Sequence, residues 1–215
     1  RMNKMKLFKK VLAVVLVGAM AVSMLTACGS ASKTTKVKNA LKNVGVKQDA
    51  AMVADTEKAM AGLQKGTEAY KAAADDTAKQ QVVAALSSKL TGEQAKDYTF
   101  SNNSGTGNYD LYIWTNGVSG RPTTPPSDYP YLMKVTNVHV TTRLAALLDE
   151  TFVKKGAFEA TNANLTILKK LLKGANVTKA GISCEKVYGY DVLLVTVPKG
   201  TTDLGSIDIN SVTLD

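Results

Sequence analysis

Residues 11–25, VLAVVLVGAMAVSML, carry no charge and are almost wholly apolar, and the ten residues before them hold five basic side chains (Arg1, Lys4, Lys6, Lys9 and Lys10). A basic start, an apolar run of this length and then small residues form the pattern of a secretory signal. The run is shorter than the roughly 20 apolar residues that span a bilayer. This sets the folding problem. Residues 1–27 read as a targeting segment, and the fold has to be built from the residues after it.

The end of the run is more specific. Leu25-Thr26-Ala27-Cys28, followed by Gly29-Ser30, resembles the lipobox of bacterial lipoproteins: an aliphatic residue, two small residues, then cysteine. The resemblance covers residues 2–29 only, and no family is recognised for the chain beyond them. It implies that the Cys28 thiol receives a diacylglyceryl group and that signal peptidase II cleaves before it. The partner implied is the membrane, reached through acyl chains on the extracytoplasmic face. Each buried methylene is worth about 0.8 kcal/mol, so two chains anchor a domain stably where one does not. Two other readings remain open, ordinary secretion with cleavage after Ala21-Val22-Ser23 and an uncleaved helical anchor.

Charge obeys the same division. The chain has 215 residues and a formal net charge of +9. Five positive charges precede Val11, and five more (Lys33, Lys36, Lys38, Lys42 and Lys47) fall before Asp49, where no acid occurs; from Asp49 onward 17 basic residues face 18 acidic ones. A near-neutral domain lacks the electrostatic footprint for a phosphate backbone, so nucleic acid is not an expected partner. Residues 28–36 are small, polar and basic, and read as a flexible tether. The lysines between 33 and 47 either rest on anionic lipid or are simply solvated.

Cysteine usage is sparse, with only Cys28 and Cys184. Once Cys28 is acylated, no internal disulfide is possible despite an oxidising compartment. Cys184 alternates with Ile182 in a strand-like run and reads as a buried, inert thiol.

Residues 37–215 read as a single α+β domain, helical over 37–97 and mixed over 98–215. Val37, Leu41 and Val44 form one apolar stripe; Met52, Ala59, Leu63 and Tyr70 form the next, and Val83, Leu86 and Leu90 a third. Breaks are expected at Gly45, at Asp75-Asp76-Thr77 and at Gly92, with Thr91–Gln94 at capping-box spacing. Thr56 and Gly66 interrupt the 52–73 seam, so packing on the protein's own sheet is favoured over a coiled coil. Tyr109–Thr115 reads as a strand ended by Asn116-Gly117, and Tyr131–Val140 as another. Between them the proline-rich Arg121–Pro130 segment is a loop. Leu144, Leu147, Leu148 and Phe152 mark a helix capped at Thr141 or Thr142 and stopped at Gly156, and Leu165, Leu168, Leu171 and Leu172 mark a second stopped at Gly174. Ile182–Val187 and Asp191–Val197 form a hairpin whose second strand is apolar on both faces, hence central. Ser206–Leu214 alternates like an edge strand. The order gives an N-terminal helical region followed by a mostly antiparallel sheet with two packed helices.

Catalytic constellations are not evident, and no catalytic residue, metal ligand set or cofactor is assigned. One His and one free Cys cannot make a His- or Cys-rich zinc site. The Ser104–Asn108 run is glycine-rich but precedes a strand, so it presents no helix N-terminus to phosphate. His139 is the one candidate general base near neutral pH. Asp75/Asp76, Asp149/Glu150 and the tail acids Asp203, Asp208 and Asp215 read as caps and solvated faces. Seven of the thirteen aromatics fall between Tyr98 and Tyr131. There the alternation places Tyr112 and Trp114 on one face of a strand. Together with Tyr129 and Tyr131 they are the candidate ligand surface, for a glycan, a peptide or an envelope protein; the competing reading makes them core.

Three function classes are compatible with these features. The favoured one is a lipid-anchored extracytoplasmic binding or accessory module without catalysis. A cell-envelope hydrolase would need His139 or two carboxylates to converge in a pocket. A structural or assembly protein would leave an apolar seam along residues 49–90 open for a partner.

Overall fold

A computed structural model describes residues 27–88, 109–116, 131–135 and 147–214. The signal segment before Ala27, the Thr91–Gln94 capping box, the Gly-rich and proline-rich loops, Tyr98, Phe100, Tyr129, His139 and Asp215 lie outside them.

The first helix, α1 (Ala27–Lys42), includes all of the segment expected to be a tether. That expectation is corrected: residues 28–36 continue the helix, and the Lys33 and Thr34 side chains meet the sheet. A two-residue strand comes next, β1 (Lys47–Gln48). Asp49 then caps α2 (Ala50–Lys71), its carboxylate accepting from the Ala51 and Met52 amides at 3.1 and 3.2 Å. The break expected at Asp75-Asp76-Thr77 falls slightly earlier, at residues 72–75, and Asp76 and Thr77 already belong to α3 (Asp76–Ser88).

Strands β2 (Tyr109–Thr115) and β3 (Tyr131–Lys134) lead to a short helix α4 (Glu150–Lys155), capped by Asp149 and closed at Gly156. The amphipathic α5 (Asn162–Gly174) is capped by Thr161, whose hydroxyl accepts from the Asn164 amide at 3.2 Å. The chain then runs through β4 (Lys179–Val187) and β5 (Tyr190–Pro198) into a 3₁₀ turn at Leu204–Ser206. The alternating Ser206–Leu214 segment therefore forms turns, not the expected edge strand. Asp203 and Asp208 turn the backbone there by accepting the Gly205 and Asn210 amides.

The five strands lie in the order β1-β4-β5-β2-β3. Among the described residues β1 and β4 pair in parallel and the other three pairings are antiparallel; the fold is α+β. The β4–β5 hairpin closes over Tyr188-Gly189, with φ of 51° and 80°. Positive φ at both central residues is the two-residue turn whose twist matches the strands. Glycine accepts it freely; at Tyr188 tertiary contacts hold it.

Helices cover both faces. On one, Val37 and Leu41 of α1 and Leu165, Leu168 and Leu172 of α5 pack on Ile182, Cys184, Leu193 and Val195. On the other, Ala59, Met60 and Leu63 of α2 and Val82 of α3 pack on Leu111, Ile113, Val192 and Leu194. The α2 seam is thus closed by the protein's own sheet. Its approach is tightest at Gly181, where a Cβ would fall 2.2 Å from the Met52 carbonyl oxygen. Thr56 and Thr196 hydroxyls, 2.7 Å apart, sit in the same buried contact.

Candidate functional site

Tyr112 and Trp114 of β2 are the side chains that the sequence singles out. Tyr112 is 0% exposed and Trp114 1% exposed. Neither belongs to an exposed aromatic face, and the ligand surface drawn through them is corrected to core. The reason is that helices cover both faces of the strand, so alternation separates two interiors. Trp114 meets the Phe158 ring edge-on at 5.0 Å, and its indole N–H donates to Asn116 Oδ1 at 3.1 Å. The Asn116 amide in turn donates to the Ala157 carbonyl at 2.9 Å. Tyr112 lies beneath Lys134, whose ammonium is 6.0 Å from the ring centroid and 2.9 Å from the Asp110 carboxylate. Burial, then the nearby Asp203 carboxylate, push the Tyr112 phenol well above its usual range. Tyr131 stands opposite Thr115 at the start of β3, and Tyr129 lies outside the described residues.

The polar groups that do converge lie at the hairpin end of β4. Lys186 and Asp191 face each other across the β4–β5 register, and their side chains meet at 2.9 Å. Lys33 of α1 binds the same carboxylate oxygen. Asp191 is nearly buried, which favours its neutral form, but hydrogen bonds and attraction from Lys33 and Lys186 outweigh burial and hold its pKa below the usual carboxylate value. One residue on, the Thr34 hydroxyl donates to the Cys184 carbonyl at 3.1 Å and accepts from the Cys184 amide at 3.0 Å. Lys36 reaches the Ala160 carbonyl at 2.6 Å. The two Thr34 bonds cover the outer edge of β4 at Cys184, beyond the short β1 pairing, where open backbone groups would otherwise invite another strand.

Cys184 itself is 0% exposed. Burial, then the charge of Asp191, push its thiol up to about 12, so it stays protonated and a poor nucleophile. From the turn itself, the Tyr188 hydroxyl lies 2.7 Å from the Leu148 carbonyl and 3.1 Å from that of Thr67, tying α2 to the chain before α4. Burial, with Glu68 and Asp149 nearby, raises that phenol to about 12.

The sequence reading did not single out any member of this cluster. The cross-strand pair Lys186/Asp191 is readable from the hairpin register, whereas Lys33 arrives from 158 positions away with no local signal. Several acids that offered paired carboxylates work as caps: Asp75 accepts the Ala78 amide, and Asp149 those of Thr151 and Phe152. Among the described residues, no group of three or more His, Cys, Asp or Glu side chains is placed to hold a metal ion. Among them also, no helix is long and apolar enough to cross a membrane. Comparison with protein-family models, with curated proteins and with solved structures gives no match.

Proposed function

We propose that the protein is a lipid-anchored, extracytoplasmic accessory domain, acylated on Cys28 and acting by contact with an envelope component instead of by catalysis. The observation that carries the reading is Leu25-Thr26-Ala27-Cys28-Gly29-Ser30 behind a basic and then apolar segment. The docking of α1 supports it, because Lys33 and Thr34 fasten the chain to the sheet just after the acylation point. The use of Asp49, Asp149 and Asp203 as caps agrees with a domain whose acids serve the fold. The contact surface lies elsewhere than Tyr112 and Trp114.

Metabolic labelling with a fatty acid tests the anchor. Wild-type protein incorporates the label and Cys28→Ser does not. Unlabelled wild-type protein, or equal labelling of the two, overturns the reading.

A further inference from the structure

We infer that the hairpin end of the domain, marked by Lys33, Lys36, Glu159 and the Tyr188-Gly189 turn, is apposed to phospholipid headgroups, and that the Lys47–Lys179 end is held outward. The inference rests on the proposed acylation of Cys28. Four residues separate Cys28 from Lys33. Fully extended, that leash reaches about 18 Å; as the helix it forms, it rises only about 7.5 Å. Lys33 is fastened to Asp191 beside the hairpin turn and Thr34 to Cys184, three residues short of the end of β4, so the leash joins the hairpin half of the sheet. From there α1 runs along the outer side of β4 until β1 pairs Lys47 with Lys179. The nine residues of β4 put about 25 Å between the two ends. In its helical form the leash is shorter than the roughly 17 Å from Cys184 to Lys179, so the hairpin half is the one kept near the bilayer.

Charge does not explain this orientation. The near end carries the ammonium groups of Lys33, Lys36 and Lys186, but Lys33 and Lys186 share Asp191, and Glu159 and Glu185 supply two further negative charges beside them in the chain. The orientation is therefore mechanical and independent of anionic lipid.

The test uses the acylated full-length protein in vesicles of zwitterionic lipid bearing a headgroup quencher. A fluorophore is attached at Glu159→Cys or Lys179→Cys, both exposed positions, while buried Cys184 stays unlabelled. Quenching at position 159 is expected to be several-fold stronger than at 179. A flexible insert of about 20 Gly/Ser residues after Ser30, spanning about 25 Å, is expected to erase the difference. Equal quenching without the insert overturns the inference while leaving acylation intact. A difference that survives the insert, or that appears only with anionic lipid, overturns the leash as its cause. Mass measurement of the same sample separates the two levels, because a Cys28 without acyl chains removes the functional reading together with the inference.

Discussion

The Thr34 hydroxyl both donates to the Cys184 carbonyl and accepts from the Cys184 amide, at 3.1 and 3.0 Å. One side chain from α1 thereby occupies both backbone groups of a residue on the outer edge of β4, as a neighbouring strand would. It closes the edge without lengthening the sheet, and it fixes where the segment after Cys28 joins the fold.

Replacing Thr34 with Val keeps the shape and removes both hydrogen bonds. The Cys184 backbone groups are then left to water or to nothing, a cost of about 1–2 kcal/mol. Urea unfolding should show the loss. Native labelling of Cys184 by a thiol reagent should also speed up, because the buried thiol reacts only when α1 opens. A variant with wild-type stability and labelling rate would mean that the latch does not hold the edge.

Gly181→Ala should be among the most damaging small changes. Its Cβ would lie 2.2 Å from the Met52 carbonyl oxygen and 2.4 Å from Thr196 Oγ1. The first of these is helix backbone, so α2 must move off the sheet. A loss of about 3 kcal/mol is expected, at the upper end of overpacking costs, read as a lower urea midpoint. Normal stability would show that α2 does not approach β4 this closely.

Asp191 predicts an acid-sensitive step. Its folded pKa is depressed by Lys33 and Lys186 against the effect of burial. The stabilisation is therefore complete above the unfolded value of about 3.9 and is lost as pH falls through the folded one. Stability curves between neutral pH and pH 2 should fall in that acid range, and Asp191→Asn should flatten the fall. A mutant with the wild-type acid limb would remove Asp191 as its source.

Trp114 is the one tryptophan, so its emission reports on the β2 interior directly. Iodide should quench it several-fold less in the native protein than in urea, and glycan or peptide additions should leave it unchanged. Asn116→Ala, which frees the indole N–H and the Ala157 carbonyl, should cost about 1–2 kcal/mol. Strong native quenching would restore an exposed aromatic face.

Local patterns carried most of the fold. The 3/4 spacing of Leu165, Leu168, Leu171 and Leu172 located α5, the doubly apolar DVLLVTV run located β5 as a central strand, and Tyr188-Gly189 located the hairpin. What escaped depends on distant partners. Lys33 and Thr34 look like a solvated tether because their partners lie 158 and 150 positions on. Asp110 of β2 is buried against Lys134, so two polar residues cancel each other out of sight of the sequence. The parallel strand β1 is two residues long, too short for any periodicity.

The most direct test of the lipid anchor is the mass of the mature N-terminal peptide isolated from membranes. The expected chain begins at Cys28 and carries a diacylglyceryl group. An unmodified N-terminus, whether after Ser23 or within an intact signal segment, would contradict it.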